Sequence, residues 1–190
     1  YTSDVDENGD VTTVAVGDEM RVNTYTSSTQ NTPSIGSLAD GGFIVTWQDS
    51  SGQSGGSSWD VWAQRYDANS EAVGGEFRVN TYVSSEQRDA RVTGLEDGGY
   101  VITWSDSSGH SGGSSWDVRA QIYDSSGSTV GDEFRVNEYK SSNQYYSDIA
   151  PLEGGGFIIT WWDSSSHDGG SSYDVYAQRF DADGTAGKLY

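Results

Sequence analysis

Residues 43–47 read Phe43-Ile44-Val45-Thr46-Trp47, and this stretch decides the fold because it returns twice. Its copies lie at 100–104 and 157–161, so that the closing tryptophans are spaced by 57 residues. The stretch is rich in β-branched and aromatic residues, which favour strands. A fixed period of this length is typical of propeller blades and other radial arrays.

The residues around this stretch predict four strands in each copy. In the first copy these are 34–38, 43–47, 60–66 and 76–80. Asp40-Gly41 and Asp67-Ala68 supply turn signals between them, since Gly adopts positive φ at little cost and Asp bonds its own backbone in turns. No stretch shows convincing helical periodicity. Four antiparallel strands in an up-and-down meander make one propeller-type blade.

The 190 residues are predicted to form a single repeat domain. We place the repeats at 25–81, 82–138 and 139–190, after an N-terminal segment at 1–24. The third copy supplies only three strands, so residues 19–23 are expected to pair with the strand around Val175 and Ala177 and to close the array. The predicted fold class is therefore all-β, with three four-stranded repeats in a pseudo-three-fold arrangement. A six-bladed ring made by a dimer, and a β-trefoil or prism-like body, are the alternatives.

Several segments resemble a known family. Pro33-Ser34-Ile35, Asp40-Gly41, Phe43-Ile44-Val45-Thr46-Trp47 and Asp60-Val61-Trp62 resemble the blade motif of TolB-type propellers. The longer pattern of residues 42–47 with 63–67 looks like repeats of large secreted bacterial proteins, which are adhesin-like or act on polysaccharides and are often calcium-loaded. The resemblance implies an extracellular or cell-surface location and glycan binding. The motif is not uniform, since Pro33 is replaced by Ala90 and Ser147 in the other copies.

The charge and composition of the chain limit the kinds of molecule that it is expected to bind. The formal charge is -19, from 29 acidic and 10 basic residues, so the chain should repel nucleic acid and anionic membranes and attract cations. The chain has no Cys, which excludes disulfides and thiolate metal sites. Its apolar runs are too short for a membrane span. Because the sequence starts at Tyr1, we expect it to be part of a longer multidomain protein or a processed chain.

Repetition also marks candidate ligand-binding residues. The two long connections of each copy fall at one end of the meander, and several of their residues recur at the 57-residue spacing although neither strand nor turn requires them. In the loop after the second strand, an aromatic residue is followed by an acid. In the connection before the first strand, a Tyr and a Gln recur. The predicted set is Trp59, Asp60, Trp116, Asp117, Tyr173, Asp174, Tyr25, Gln30, Tyr82, Gln87, Tyr139 and Gln144.

These residue types suit a sugar, because an aromatic ring covers its C–H face while carboxylates and amides bond its hydroxyls. We therefore predict a non-catalytic carbohydrate-binding module with up to three equivalent sites for a polysaccharide or glycan. Enzyme activity is not expected, because catalysis usually needs one asymmetric site and these three are alike. A structural or adhesive spacer and, less favoured, a glycan-acting enzyme are the other classes.

Calcium is the predicted cofactor, because it prefers carboxylate, hydroxyl and carbonyl oxygens. Asp49, Asp106 and Asp163 recur, each followed by two serines, and are candidate ligands. A second candidate is Asp4, Asp6 and Asn8, which fit the opening of an EF-hand loop. The twelfth position of that loop is Ala15 rather than the usual bidentate Glu.

Overall fold

The structure is a computed structural model that describes residues 2–5, 8–9, 11–14, 17–56, 58–112, 115–170 and 172–187. Its regular structure is β-strand, apart from short 3-10 turns at Gln53–Gly55, His110–Gly112 and His167–Gly169. No helix in these ranges is long and apolar enough to cross a bilayer. The strands are β1 Thr2–Val5, β2 Val11–Val14, β3 Gln30–Ser37, β4 Phe43–Asp49, β5 Asp60–Tyr66, β6 Ala72–Arg78, β7 Gln87–Gly94, β8 Tyr100–Asp106, β9 Asp117–Tyr123, β10 Thr129–Arg135, β11 Gln144–Pro151, β12 Phe157–Asp163, β13 Asp174–Phe180 and β14 Ala186–Gly187.

Twelve of the strands form three antiparallel four-stranded sheets. The first sheet is β3-β4-β5-β6, the second is β7-β8-β9-β10, and the third is β11-β12-β13-β14. β1 and β2 pair with each other in a separate hairpin. The predicted four-stranded antiparallel meander is confirmed. The expectation that the third copy supplies only three strands is wrong, because β14, two residues long, pairs with β13.

The first strand of each four-stranded sheet carries an irregularity near its start. Pairing of β3 with β4, of β7 with β8 and of β11 with β12 shifts register two residues into the strand. Thr32, Asp89 and Tyr146 lie at these bulges with φ near +55°, at 53°, 56° and 54°. Non-glycine residues rarely adopt this conformation, which costs free energy and is common at functional sites.

The sheets pack face to face in chain order. Ile44, Val61 and Ala63 of the first sheet share a buried cluster with Ile102 and Trp104 of the second. The corresponding face of the second sheet packs in the same way on the third, where Phe157, Ile159 and Trp161 meet Val118 and Ala120. The principal contacts between strands of different sheets involve β3, β7 and β11, so these are the inner strands and β6, β10 and β14 lie outside.

The predicted closing strand is wrong. Residues 19–23 form no strand, and Val22 packs on Val45, Trp47 and Trp62 of the first sheet instead of pairing with β13. The Tyr66 hydroxyl donates to the Val22 carbonyl at 3.1 Å. The segment leads directly into β3, and its valine occupies the repeat position of Val79, which packs on the next sheet in the chain. The array of three sheets is therefore not closed by its own N-terminus.

Candidate functional site

The recurring carboxylates lie in pairs at the ends of the two middle strands. Asp49 lies directly opposite Asp60 in the ladder of β4 and β5, and both side chains are almost fully buried. Burial raises the pKa of Asp60, the amide of Asn80 lowers it, and the neighbouring Asp49 raises it further. Asp106 with Asp117 and Asp163 with Asp174 repeat the pairing in the other sheets. In the second pair, the Arg119 guanidinium contacts Asp106 at 2.9 Å.

A buried chain of amide side chains joins these carboxylates between sheets. The Asn80 Nδ2 donates to Asp60 at 2.7 Å and to the Gln87 Oε1 at 3.3 Å. Gln87 then donates to Asp106 of the second sheet at 3.2 Å. Asn137 and Gln144 continue the arrangement toward the third sheet. The predicted binding residues of the Asp and Gln type are thus brought together, and their recurring identity is accounted for by bonds within the protein.

The predicted tyrosines lie near this network but contact it through their backbones. The carbonyls of Tyr25, Tyr82 and Tyr139 accept hydrogen bonds from Asn23, Asn80 and Asn137. Their rings remain about 40% exposed, at 39%, 42% and 41%. Those of Tyr82 and Tyr139 stack on His110 and His167 with ring centroids 4.1 and 4.3 Å apart. One face of each of these two rings is therefore already covered.

The three predicted platform aromatics have different surroundings. The Arg88 guanidinium lies 5.1 Å from the ring centroid of Trp59, so that ring is covered by the next sheet. Trp116 lines an open groove between the second and third sheets. Tyr173 is 61% exposed and lies beside Tyr145 and Trp162. The three positions are not equivalent in structure.

The cation candidates are either hydrogen-bonded within the protein or lie in the N-terminal part of the chain. Asp49 accepts bonds from the Ser51 backbone and the Gln30 side chain at 2.6 and 3.1 Å. Asp4 lies in β1 and Asn8 in an exposed turn, and Asp6 lies outside the described residues. Within the residues whose positions are given, no three His, Asp or Glu side chains form a metal-binding group. Calcium binding stays a prediction.

The groove between the second and third sheets has a volume of about 290 Å³. Three aromatic rings line it, those of Trp116, Tyr145 and Tyr146, together with Arg88, Asp89 and Asn143. Asp89 lies at the bulge of β7, and its backbone N–H donates to the Gln48 side chain of the first sheet at 3.1 Å. Burial raises the pKa of the Asp89 carboxyl, which Arg91 and Arg88 lower by a smaller amount. The groove therefore presents a half-buried carboxyl group among aromatic rings.

The inner strands carry one further acidic residue, Asp148 on β11. β3 has no acidic residue, β7 has Asp89 and β11 has Asp148. Asp148 is exposed, and β7 and β11 are in contact. The equivalents of Asp89 in the other copies are Thr32 and Tyr146, so the pair breaks the repeat symmetry. Sequence reasoning missed both residues because it searched for identity between the copies, and the signal that could have found them was an acid present in one copy only.

Comparison with solved structures identifies the type of fold. A likeness with a TM-score of 0.52 and 14% identity is found to an endo-arabinase from Bacteroides thetaiotaomicron, over 88% of this chain and 59% of that one. A second, with a TM-score of 0.54 and 10% identity, is found to a thermostable family-43 glycoside hydrolase, over 87% and 60% of the two chains. The chain thus spans about 60% of the length of these enzymes. No protein-family model and no curated protein matches its sequence.

These neighbours support a propeller fold but not the TolB-type repeat that the motifs resemble. They also contradict two predictions, the non-catalytic carbohydrate-binding module and the absence of enzyme activity, because the fold they share with this chain is one that carries glycoside hydrolases. Those predictions assume that three similar sites do not form the single asymmetric site that catalysis usually needs. The groove at Asp89 removes that objection, since its residues differ from those of the other copies.

Proposed function

We propose that this chain carries the active site of a propeller-fold glycoside hydrolase that acts on a polysaccharide. The observation that carries the proposal is Asp89, a carboxyl with a raised pKa at a strained bulge, facing a groove lined by aromatic rings. A raised pKa keeps a carboxyl group protonated closer to neutral pH, which is what a general acid needs. The fold shared with two glycoside hydrolases supports the same reaction class.

Glycosidic bonds are usually cleaved by two carboxyl groups on either side of the bond. We assign Asp89 as the acid that protonates the leaving oxygen. Asp148 is assigned as the second carboxylate, because it is the other acid on the inner strands and its side chain is open to solvent. It acts either as a nucleophile on the sugar or as a base toward water. As a nucleophile it forms a glycosyl ester, which water then hydrolyses while Asp89 takes a proton back from that water. As a base it takes a proton from the attacking water, and both carboxyl groups then return to their starting states by proton exchange with solvent.

The groove walls supply the binding surface for the sugar chain. Trp116, Tyr145 and Tyr146 present rings that can cover the C–H faces of sugar units, and Asn143 offers an amide to hydroxyl groups. The formal charge of -19 opposes the approach of a polyanion. We therefore propose a neutral polysaccharide as the substrate, with arabinan as the first candidate because one structural neighbour is an endo-arabinase.

The test measures the release of reducing ends from arabinan and other neutral polysaccharides by the wild type and by three variants. Asp89→Asn and Asp148→Asn should each lower kcat/KM by about 10²–10⁴-fold, the usual contribution of a general acid or base. Asp124→Asn is the matched control, since Asp124 is an exposed acid in the β9–β10 turn and should leave the rate unchanged.

An aryl glycoside with a good leaving group separates the two roles. Such a substrate needs no proton from the enzyme at its leaving oxygen, so Asp89→Asn should regain activity on it while Asp148→Asn should not. Full activity of Asp89→Asn on polysaccharide would contradict the assignment. Absence of hydrolysis by the wild type on every polysaccharide tested would contradict the proposed function itself.

A further inference from the structure

The two interfaces between sheets within this chain use the same repeat positions. Val61 of the first sheet is fully buried against the second sheet, and Val118 of the second is fully buried against the third. The equivalent residue of the third sheet, Val175, is 75% exposed. This face of the third sheet therefore has the side chains of an interface without the partner that covers them in the other two sheets.

Its neighbours show the same contrast. Gln48 and Ser105 are buried, and their side chains accept the backbone N–H of Asp89 and Tyr146 on the next inner strand. The third sheet has Trp162 at this position, and its ring is 48% exposed. The open face thus carries an exposed apolar surface at Trp162 and Val175. On the first and second sheets, the inner strand of the next sheet packs at these positions.

The first sheet has the complementary opening. Val92 on β7 is 7% exposed because it packs on the first sheet, whereas its equivalent on β3, Ile35, is 66% exposed. Elsewhere on that face, Val22 of the N-terminal segment packs on Val45, Trp47 and Trp62. In the same segment, the backbone N–H of Thr24 donates to Glu76 at 2.8 Å, as Thr81 does to Glu133 in the second sheet. The segment therefore lies where the outer end of a preceding sheet would lie.

We propose that two copies of this chain associate head to tail, with the third sheet of each copy packed on the first sheet of the other. One chain presents both halves of an interface that it already forms twice internally, so a second copy supplies the matching surface at both openings. The ring that results has six sheets, which is within the usual range of about four to eight blades. The segment at Val22 also fits this arrangement, because it packs on the first sheet as Val79 packs on the second.

The first experiment is the mass of the wild type in solution, measured by light scattering after size exclusion. We expect twice the 20.5 kDa of one chain. The salt should be about 0.15 M, where the Debye length is about 8 Å and repulsion between two acidic chains is screened. Val175→Asp should give the monomer mass, while Val73→Asp, a change of the same kind on the outer strand β6 where the valine is 45% exposed, should keep the dimer. A monomeric wild type at the highest soluble concentration, or a dimeric Val175→Asp, overturns the proposal.

The second experiment tests the head-to-tail arrangement. Ile35→Asp alone should also be monomeric, because every contact between copies then contains one altered face. A mixture of Ile35→Asp and Val175→Asp chains should recover dimers, since one of its two contacts joins two unaltered faces. A symmetric contact between two third sheets predicts a different result: Ile35→Asp alone is dimeric, and mixing it with Val175→Asp forms no dimer that contains both variants. A cooperative melting transition and a wild-type-like β-sheet circular dichroism spectrum of each variant confirm that the chains are folded.

Discussion

At the scale of single residues, two aspartates should respond to pH in opposite directions. Burial raises the pKa of Asp89 above the ordinary value of 3.8, whereas bonds from Ser126 and Ser128 lower the pKa of Asp124. A raised carboxyl pKa in the folded state opposes folding above that pKa, and the penalty fades as the pH falls through it toward 3.8. A lowered pKa stabilises the fold above 3.8, and that gain is lost as the pH falls through the lowered value.

Asp89→Asn should therefore raise the melting temperature at neutral pH, and its advantage over the wild type should shrink as the pH is lowered. Asp124→Asn should lower the melting temperature at neutral pH, and this deficit should shrink in acid. Thermal melts of the three proteins between neutral pH and about 3 measure both differences. A neutral-pH melting temperature of Asp89→Asn below that of the wild type would show that burial does not control this carboxyl group. Together with lost activity, a gain in stability is the behaviour expected of a residue kept for chemistry rather than for folding.

The sequence identifies many residues of the polar network, but not whether they bind a ligand or one another. Identity at Asp60, Gln87 and Asp106 was visible from the repeats, yet a side chain that bonds a ligand and one that bonds its neighbour leave the same pattern. Only the distances show that Asn80 joins these groups inside the protein. For Asp89 the difficulty is the opposite, because a residue that differs between the copies carries no signal in the sequence that separates function from drift, whereas the structure places it at a bulge and in a groove.

At the scale of elements, the turn between the first two strands of a repeat is fixed by the close approach of two backbones. In the second sheet, Leu95 N–H donates to the Gly99 carbonyl at 2.8 Å, and the Asp97 side chain accepts from Gly99 N–H at 2.9 Å. A Cβ atom on Gly99 would lie 2.5 Å from the Tyr123 carbonyl oxygen of the neighbouring strand. The turn was predictable from its Asp-Gly signal, because such turns depend on a few adjacent residues.

Gly99→Ala should lower the free energy of unfolding by about 1–3 kcal/mol, the usual cost of overpacking, because the obstructing atom belongs to a paired strand that cannot swing aside. Gly75→Ala is the control, since a Cβ atom there meets nothing within 4 Å. Denaturant unfolding followed by tryptophan fluorescence compares the two with the wild type. Equal stability of Gly99→Ala and Gly75→Ala would mean that the hairpin relaxes around the added methyl group.

At the scale of the whole molecule, the number and order of strands followed from the repeat, but the arrangement of the sheets did not. Strand order in a meander is set by short connections, which the sequence displays. Whether residues 19–23 contact the first or the third sheet depends on the arrangement of the sheets in space, which the pattern of strands in the sequence does not specify. The structure assigns the segment to the first sheet through Val22, Trp47 and Tyr66.

The N-terminal segment should therefore act as a cap on the first sheet, and a single substitution can test this. The equivalents of Val22 at the two interfaces between sheets, Val79 and Val136, are 3% and 4% exposed, which shows how strongly this position is used for packing. Val22→Asp should lower the free energy of unfolding by about 1–3 kcal/mol, since it removes apolar burial and places a charge beside Trp47 and Trp62.

Met20→Asp is the matched control, because Met20 belongs to the same segment and is 44% exposed. Both variants are best compared in the Val175→Asp background, so that any change in association between copies does not enter the measured stability. If Val22→Asp is no less stable there than Met20→Asp, the segment is not a structural cap. If it is less stable, the first sheet depends on an apolar residue from outside itself, as the second and third sheets depend on Val79 and Val136.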